Sequence, residues 1–428
     1  MNRHETITRI GKATRKISRL RGGNGSALPG LIIERLDPDY LVTALGSLPQ
    51  GVVIITGTNG KTTTTKMVVK MLRDQGLNVF TNQTGSNFVR GVIASSLTQM
   101  DSNGIVDADI AILELDEAFA THFVKKIPPE YCLLLNVMRD QLDRFGEIDH
   151  TAKLLEKVAV ATTKGVILNR DDQLVRALSE KISKDTSVRY FGLSEQLRKE
   201  FPSDQELYGT HKPQTTSLPQ IRSSDVILDK IKGNTAVFSF GAKSQPSTKL
   251  RLTGLYNMQN AAGALALVRM VLGKKLSAET LLESLSEVKP AFGRGEAVEI
   301  NGQPLEIILV KNPAGFRLAL TSYVSKKATT MIAINDNYAD GHDMSWLWDV
   351  DFKILSKVES VSGIRAYDMA LRLQYDDIEI GTVTTSLPDA LKNLLKTDGP
   401  KRIFCTYTAM MQLRSILEKS YDIGAIDA

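Results

Sequence analysis

Two cysteines, Cys132 and Cys405, are the whole thiol complement of a 428-residue chain, and both lie in apolar, strand-like runs, YCLLLN and IFCTYT. That excludes a disulfide framework and a cysteine-based metal site. No apolar run approaches the roughly 20 residues needed to span a bilayer. The N-terminus, MNRHETITRIGKATRKISRLR, lacks an apolar stretch before a small-residue cleavage site, so it does not read as a secretory signal. A cytoplasmic protein is the simplest expectation. No segment interleaves aromatic with basic residues as a nucleic-acid surface would. Internal repeats and long low-complexity tracts are also missing.

What is present is the balance of a globular protein: 42% hydrophobic, 24% charged, net charge +5, and length enough for two to four domains. The charge is uneven. Residues 3–21 carry Arg3, Arg9, Lys12, Arg15, Lys16, Arg19 and Arg21 against Glu5 alone. A basic helix of this kind either lies near anionic lipid or acidic polymers, or is a solvated face that packs Ile7, Ile10 and Ile17 on the body.

From about residue 50, short β-branched runs alternate with longer helical periods. VVIIT (52–56), NVF (78–80), ADIAILEL (108–115), YCLLLNV (131–137) and GVILN (165–169) read as strands. The alternation predicts an α/β fold with a mainly parallel sheet covered on both faces. Ligands of such sheets bind at the carboxyl ends of the strands. Between about 194 and 248 the chain turns polar and proline-containing, which predicts an insertion or long loop. A second α/β segment is expected from about 300, with strands LEIILV (305–310), TMIAIN (330–335), SGIRAY (362–367) and RIFCTYT (402–408).

IITGTNGKTTTTK places a glycine turn between a buried strand and a helix. Glycines let backbone N–H groups approach phosphate oxygens, and a helix N-terminus favours negative charge. A lysine can then reach the terminal phosphates while a hydroxyl holds Mg²⁺. Gly57, Thr58, Asn59, Gly60, Lys61, Thr62 and Thr63 are the candidates, with Lys61 and Thr62 in the last two roles. A Walker loop would need glycine five residues before Gly60, where Ile55 stands.

GTNGKTT after a strand resembles the nucleotide loop of the Mur ligases and folylpolyglutamate synthases, which join a carboxylate to an amine through an acyl phosphate. Further motifs follow in the same order. In Leu113-Glu114-Leu115-Asp116-Glu117, Glu114 matches the family's metal glutamate. Asn136-Val137-Met138-Arg139-Asp140-Gln141 has Gln141 where typical members have a histidine, and RDQLDRFGE is similar to the version in MurT subunits of lipid II isoglutaminyl synthase. Leu168-Asn169-Arg170-Asp171-Asp172, then Gly254 through Asn260 (with Asn257 and Asn260 beside adenine and Tyr256 replacing the usual histidine), then Phe292-Gly293-Arg294-Gly295-Glu296 complete the implied ATP site. Arg294 is the implied phosphate-neutralising arginine.

Lys311-Asn312-Pro313-Ala314-Gly315-Phe316 and Asn335 through Asp349, which holds both tryptophans, resemble the MurT C-terminal domain, as does TYTAMMQLR (406–414). The resemblance implies a GatD-like glutamine amidotransferase partner, a heterodimer, and lipid II as substrate. It also implies one aspartate completing the partner's cysteine–histidine triad, with Asp343 the first choice and Asp349 and Asp340 behind it. Consistent with this, neither cysteine has the glycine-flanked turn of an exposed nucleophile, so ammonia must come from a partner unless the amine is an amino acid. A Mur- or folylpolyglutamate-type ligase adding an amino acid is therefore the rival reading. Region 200–235 has no cysteine, so the zinc ribbon of some relatives is not expected. The ATPase strand begins near residue 50, so a full N-terminal UDP-binding domain is not expected, which argues against a nucleotide-linked soluble precursor as substrate and is compatible with a lipid-linked one near the membrane. The expected division is a basic helical segment at 1–48, a Mur-ligase central domain at 49–298 and a Rossmann-like C-terminal domain at 299–428.

Overall fold

The structure, a computed structural model, describes residues 3–20, 27–82, 88–101, 103–138, 148–198, 218–252, 254–273, 277–289, 294–323, 327–421 and 423. Its first sheet contains β1 (Val52–Thr56), β2 (Val79–Thr81), β3 (Ile110–Glu114), β4 (Tyr131–Leu134), β5 (Gly165–Asn169), β6 (Ser187–Leu193), β7 (Val226–Lys232), β8 (Thr235–Phe240), β9 (Lys243–Ser244) and β10 (Thr248–Lys249). The order is β10-β8-β7-β6-β5-β4-β1-β3-β2, with β9 on β8. Strands from β2 across to β7 pair in parallel, and β8 to β10 add an antiparallel edge.

All five residues of β1 are buried because the sheet is covered on both sides. Successive side chains alternate faces. Val53 and Ile55 join Met67, Met71 and the alanine-rich helix Leu255–Leu272 on one side. On the other, Val52 and Ile54 join Ile7, Ile33 and Tyr40 of the N-terminal helices. Tyr40 stacks on His4 at 4.5 Å and its hydroxyl lies 2.8 Å from Thr8 Oγ1. The helix Arg3–Leu20 thus packs through Ile7, whereas Ile10 and Ile17 stay 41% and 53% exposed. Packing of all three isoleucines on the body does not occur.

The second sheet contains β11 (Arg294–Ile300), β12 (Gln303–Leu309), β13 (Thr329–Ala333), β14 (Lys357–Ser362), β15 (Glu379–Thr384) and β16 (Lys401–Cys405), in the order β11-β12-β16-β13-β14-β15. Only β11 is antiparallel to its neighbour. Its two faces carry separate cores, one around Phe316, Trp346, Phe352 and Phe404, the other around Met331, Leu391, Ile403 and Leu413. The change of sheet comes at residue 294, so a division at 298 falls inside β11.

Two readings of secondary structure are corrected. Within 194–248, the described part from residue 226 extends the sheet: VILDKIK and TAVFSF pair across a two-residue Gly233-Asn234 turn, Lys232 opposite Thr235. Their alternation and the Gly-Asn turn are a hairpin pattern that polar composition obscured. SGIRAY is not a strand. The strand is Lys357–Ser362, and Gly363 (φ +96°) turns the chain into the helix Ala366–Tyr375. Ser360 and Ser362 are fully buried there, so polar identity hid a core strand.

Candidate functional site

β1 ends in the glycine loop, and Gly60 caps the helix Lys61–Asp74. Gly57 and Gly60 hold φ of +132° and +90°, values that a side chain resists. Both also face close neighbours: a Cβ on Gly57 would lie 2.9 Å from Asn136 N, and one on Gly60 would lie 2.6 Å from Asn260 Nδ2. The loop is pinned from β4's end. Thr58 N donates to Asn136 O (3.0 Å), Asn59 N to Asn136 Oδ1 (2.8 Å), and Asn136 Nδ2 to Asn59 O (3.0 Å).

The charged groups are buried and already paired. Lys61 Nζ donates to Gly57 O (2.6 Å) and Thr58 O (3.4 Å) and forms an ion pair with Glu117 Oε2 at 3.2 Å. Thr62 Oγ1 donates to Glu114 Oε1 (2.8 Å) at the end of β3. Asn82 fixes that strand end, exchanging bonds of 2.9 Å with the Glu114 carbonyl and amide. The hydroxyl of Thr63, a residue 1% exposed, has no hydrogen-bond partner among the described residues. An orphaned hydroxyl in the first turn, a lysine and a hydroxyl–carboxylate pair fit a phosphate chain with its divalent cation. Thr62 and Glu114 are the oxygen donors that would hold the metal.

Asn257 and Asn260 lie beside the glycine loop. With Asn59, Gly60 and Tyr256 they line a cavity of about 130 Å³, closed on the far side by Ile308, Leu309, Leu318 and Tyr323 of the second domain. Sequence reading missed the residues that tie the domains here. The carboxamides of Asn59 and Asn312 bond each other (3.2 and 3.4 Å), and Lys311 Nζ donates to Thr58 O (3.3 Å). Only NPAG hinted at them. Glu117, the counter-ion of Lys61, was visible merely as part of an acidic strand end.

The Asn169–Asp172 segment is a brace. Asn169 Nδ2 donates to Leu135 O (2.8 Å), while Asp172 accepts from Val137 N (2.7 Å) and caps the next helix through Val175 N (3.0 Å). Burial pushes Asp171 and Asp172 each up to about 6. Arg294 opens β11, and its side chain lies outside the described residues, as do Arg139–Glu147 with Gln141, and Phe292-Gly293.

The three candidate aspartates lie in the segment that follows β13 of the second sheet. Asp340 is 2% exposed and tied to the helix Tyr407–Glu418: it accepts from the Thr408 hydroxyl and from Thr408 N (2.8 Å). Burial raises its pKa. The Asp349 side chain is half-buried and its carbonyl accepts from Arg317 Nη1 (3.3 Å). Asp343 is half-buried on an open turn, accepting from Ser345 N (2.9 Å) beside exposed His342. Around them the surface is aromatic: Tyr338 is 87% exposed, and exposed Trp348 meets Tyr375 edge-on at 5.1 Å. Both cysteines are fully buried; burial raises Cys132 to about 12 and Cys405 higher still, so neither supplies a thiolate.

Fold and loop together define a Mur-ligase-type protein. The Mur ligase middle domain family matches residues 55–268, and the MurT ligase C-terminal family matches 309–410. MurF of Acinetobacter baumannii shares the fold at a TM-score of 0.68 and 18% identity, over 91% of this chain and 80% of that one. MurF ligase of Thermotoga maritima, solved in complex with ADP, follows at 0.66 and 17%, over 89% and 82%. The lipid II isoglutaminyl synthase (glutamine-hydrolyzing) subunit MurT of Streptococcus pneumoniae is 30% identical over 435 residues, 94% of each chain. That of Staphylococcus aureus is 28% identical over 99% of each. The chain belongs to the MurT family.

Proposed function

We propose that this chain is the ATP-using subunit of a lipid II isoglutaminyl synthase. It would amidate the α-carboxylate of D-glutamate in the lipid II stem peptide, giving D-isoglutamine, with ammonia from glutamine hydrolysed by a GatD-like partner. The observation that carries the reading is the 2.8 Å Thr62–Glu114 bond beside Lys61 in the glycine loop. ATP would lie along Gly57–Thr63, with adenine toward Asn257 and Asn260. Thr62 and Glu114 would hold Mg²⁺, which would supply charge neutralisation on the transferring phosphoryl group. Lys61, drawn from Glu117 toward the phosphates, and Arg294 add to that neutralisation. Catalysis is then mostly positioning: the substrate carboxylate attacks the γ-phosphorus, ADP leaves, ammonia attacks the acyl carbon and phosphate departs.

The exposed acid–aromatic loop supports a partner role for the second domain. Asp343 would orient the partner's catalytic histidine, since a carboxylate in such a triad fixes the imidazole and stabilises its charged form. Two inert cysteines favour this over self-supplied ammonia. The product would be made at the cytoplasmic face of the membrane, where a lipid-linked substrate is anchored. The test is incubation of the chain with a GatD-like glutaminase, ATP, Mg²⁺, glutamine and a lipid-linked muropeptide. The expected result is a one-amidation mass change that requires all components. Addition of an amino acid instead would select the rival ligase.

A further inference from the structure

Among the described residues, the helix Arg3–Leu20 is held to the protein along one side. His4, Ile7, Thr8 and Gly11 are buried. Gly11 is pressed so closely on the next helix that a Cβ would lie 2.3 Å from Ile33 Cδ1. With 3.6 residues per turn, the opposite side presents Arg9, Ile10, Ala13, Lys16 and Ile17, all exposed. No acid occurs among these five, and Glu5 is the single acid of residues 3–21 against seven basic residues. Ile10 and Ile17, two turns apart, form an apolar ridge flanked by Arg9 and Lys16. At the helix start Arg3 Nη2 donates to Leu36 O (3.0 Å), bringing exposed Leu36 beside the same end.

We infer that this face is a docking surface for anionic phospholipid. A purely solvated helix has no use for two exposed isoleucines on its outermost line, and a basic face without acids does not neutralise itself. Apolar residues bracketed by Lys and Arg are what a helix lying in a lipid interface requires: the ridge enters the acyl boundary while the cations stay with phosphate headgroups. Among the described residues no helix is long and apolar enough to cross a membrane, so the contact is peripheral. The helix shares its core with Val52 and Ile54 of β1, so docking there would hold the nucleotide loop rigidly at the membrane. This deepens the proposed function, which places the reacting carboxylate on a lipid-linked substrate.

The experiment is co-sedimentation of the full chain with phosphatidylcholine vesicles, with or without phosphatidylglycerol, at low and high salt. Binding to the anionic vesicles alone, released by salt, is expected. Arg9→Ser with Lys16→Ser should weaken it about 25-fold, at roughly five-fold per cation near an anionic surface. Ile10→Ser with Ile17→Ser should weaken it by about ten-fold per isoleucine. Because these side chains are exposed, thermal unfolding of the variants should match the parent. Equal sedimentation with neutral vesicles, no sedimentation, or binding that ignores both variants overturns the inference. So does a homodimer that Ile10→Ser dissociates, which would assign the ridge to a second copy. The vesicles contain no ATP or muropeptide, so failure of amidation would strike the proposed function separately.

Discussion

The carboxyl ends of the two sheets carry the same kinds of side chains in opposite states. At the first, Lys61, Glu117, Thr62 and Glu114 are all under 10% exposed and bonded to one another. At the second, in the segment after β13, Asp343 is half-buried and His342, Tyr338 and Trp348 are exposed, the last two by 87% and 48%, while Asp340 is buried and bonded to Thr408. Buried charges must be paired, because an isolated one carries a heavy desolvation cost. The described groups of the first edge are therefore paired within this chain, and the proposed function has them exchange these partners for phosphate and metal. The second edge is consistent with a surface that a partner completes.

The comparison can be broken most directly at Lys61. Lys61→Ala should lower amidation about a thousand-fold or more whether glutamine or ammonia supplies nitrogen, read as amidated muropeptide by mass; retained activity would remove the first edge from the chemistry. Asp343→Asn should separate the edges. Glutamine-driven amidation should fall by about 10²–10⁴-fold while ammonia-driven amidation stays within about two-fold, and equal losses would place Asp343 at the substrate. Glu117→Gln leaves buried Lys61 without its carboxylate, so urea unfolding should show a loss of about 3 kcal/mol. Saturating ATP·Mg²⁺ should recover more stability in this variant than in the parent.

Smaller effects sharpen the picture of the first edge. The folded-state pKa of Asp172, near 6, lies above the ordinary 3.8. Between those values the folded chain holds a proton that the unfolded chain releases, so this contribution to stability falls as pH rises from about 4 to about 6. Comparing unfolding free energies at the two pH values, Asp172→Asn should reduce that fall by roughly 1–2 kcal/mol. An unchanged pH slope would contradict the brace. Last, Asn59→Ala and Asn312→Ala should couple by about 1 kcal/mol in a double-mutant cycle on stability, since each removal takes from the other carboxamide its partner across the domains. Simple additivity would mean that the two domains are not latched there.

Local rules made the first edge legible. A strand, two glycines needing positive φ, and a lysine–threonine at a helix start are all short-range consequences of sequence, and Gly57 to Thr62 sit as that pattern demands. Most strands were readable for the same reason, because parallel core strands are continuous apolar runs. Where the rule failed, polarity misled: Ser360 and Ser362 are buried in β14, and a hairpin hid in a stretch that reads as polar insertion.

By itself, then, the sequence determined the α/β class, the glycine loop that sets Lys61 and Thr62 at a helix start, and the apolar setting of its two cysteines. Each depends on neighbours in the chain or on hydrophobic context. Tertiary structure alone decided which acid pairs Lys61, how Asn59 meets Asn312 across 253 positions, that Asp340 is spent on Thr408 while Asp343 is not, and that Ile10 and Ile17 face outward. Those outcomes rest on contacts between distant segments and on which side of a helix the protein covers, and periodicity cannot say which side that will be.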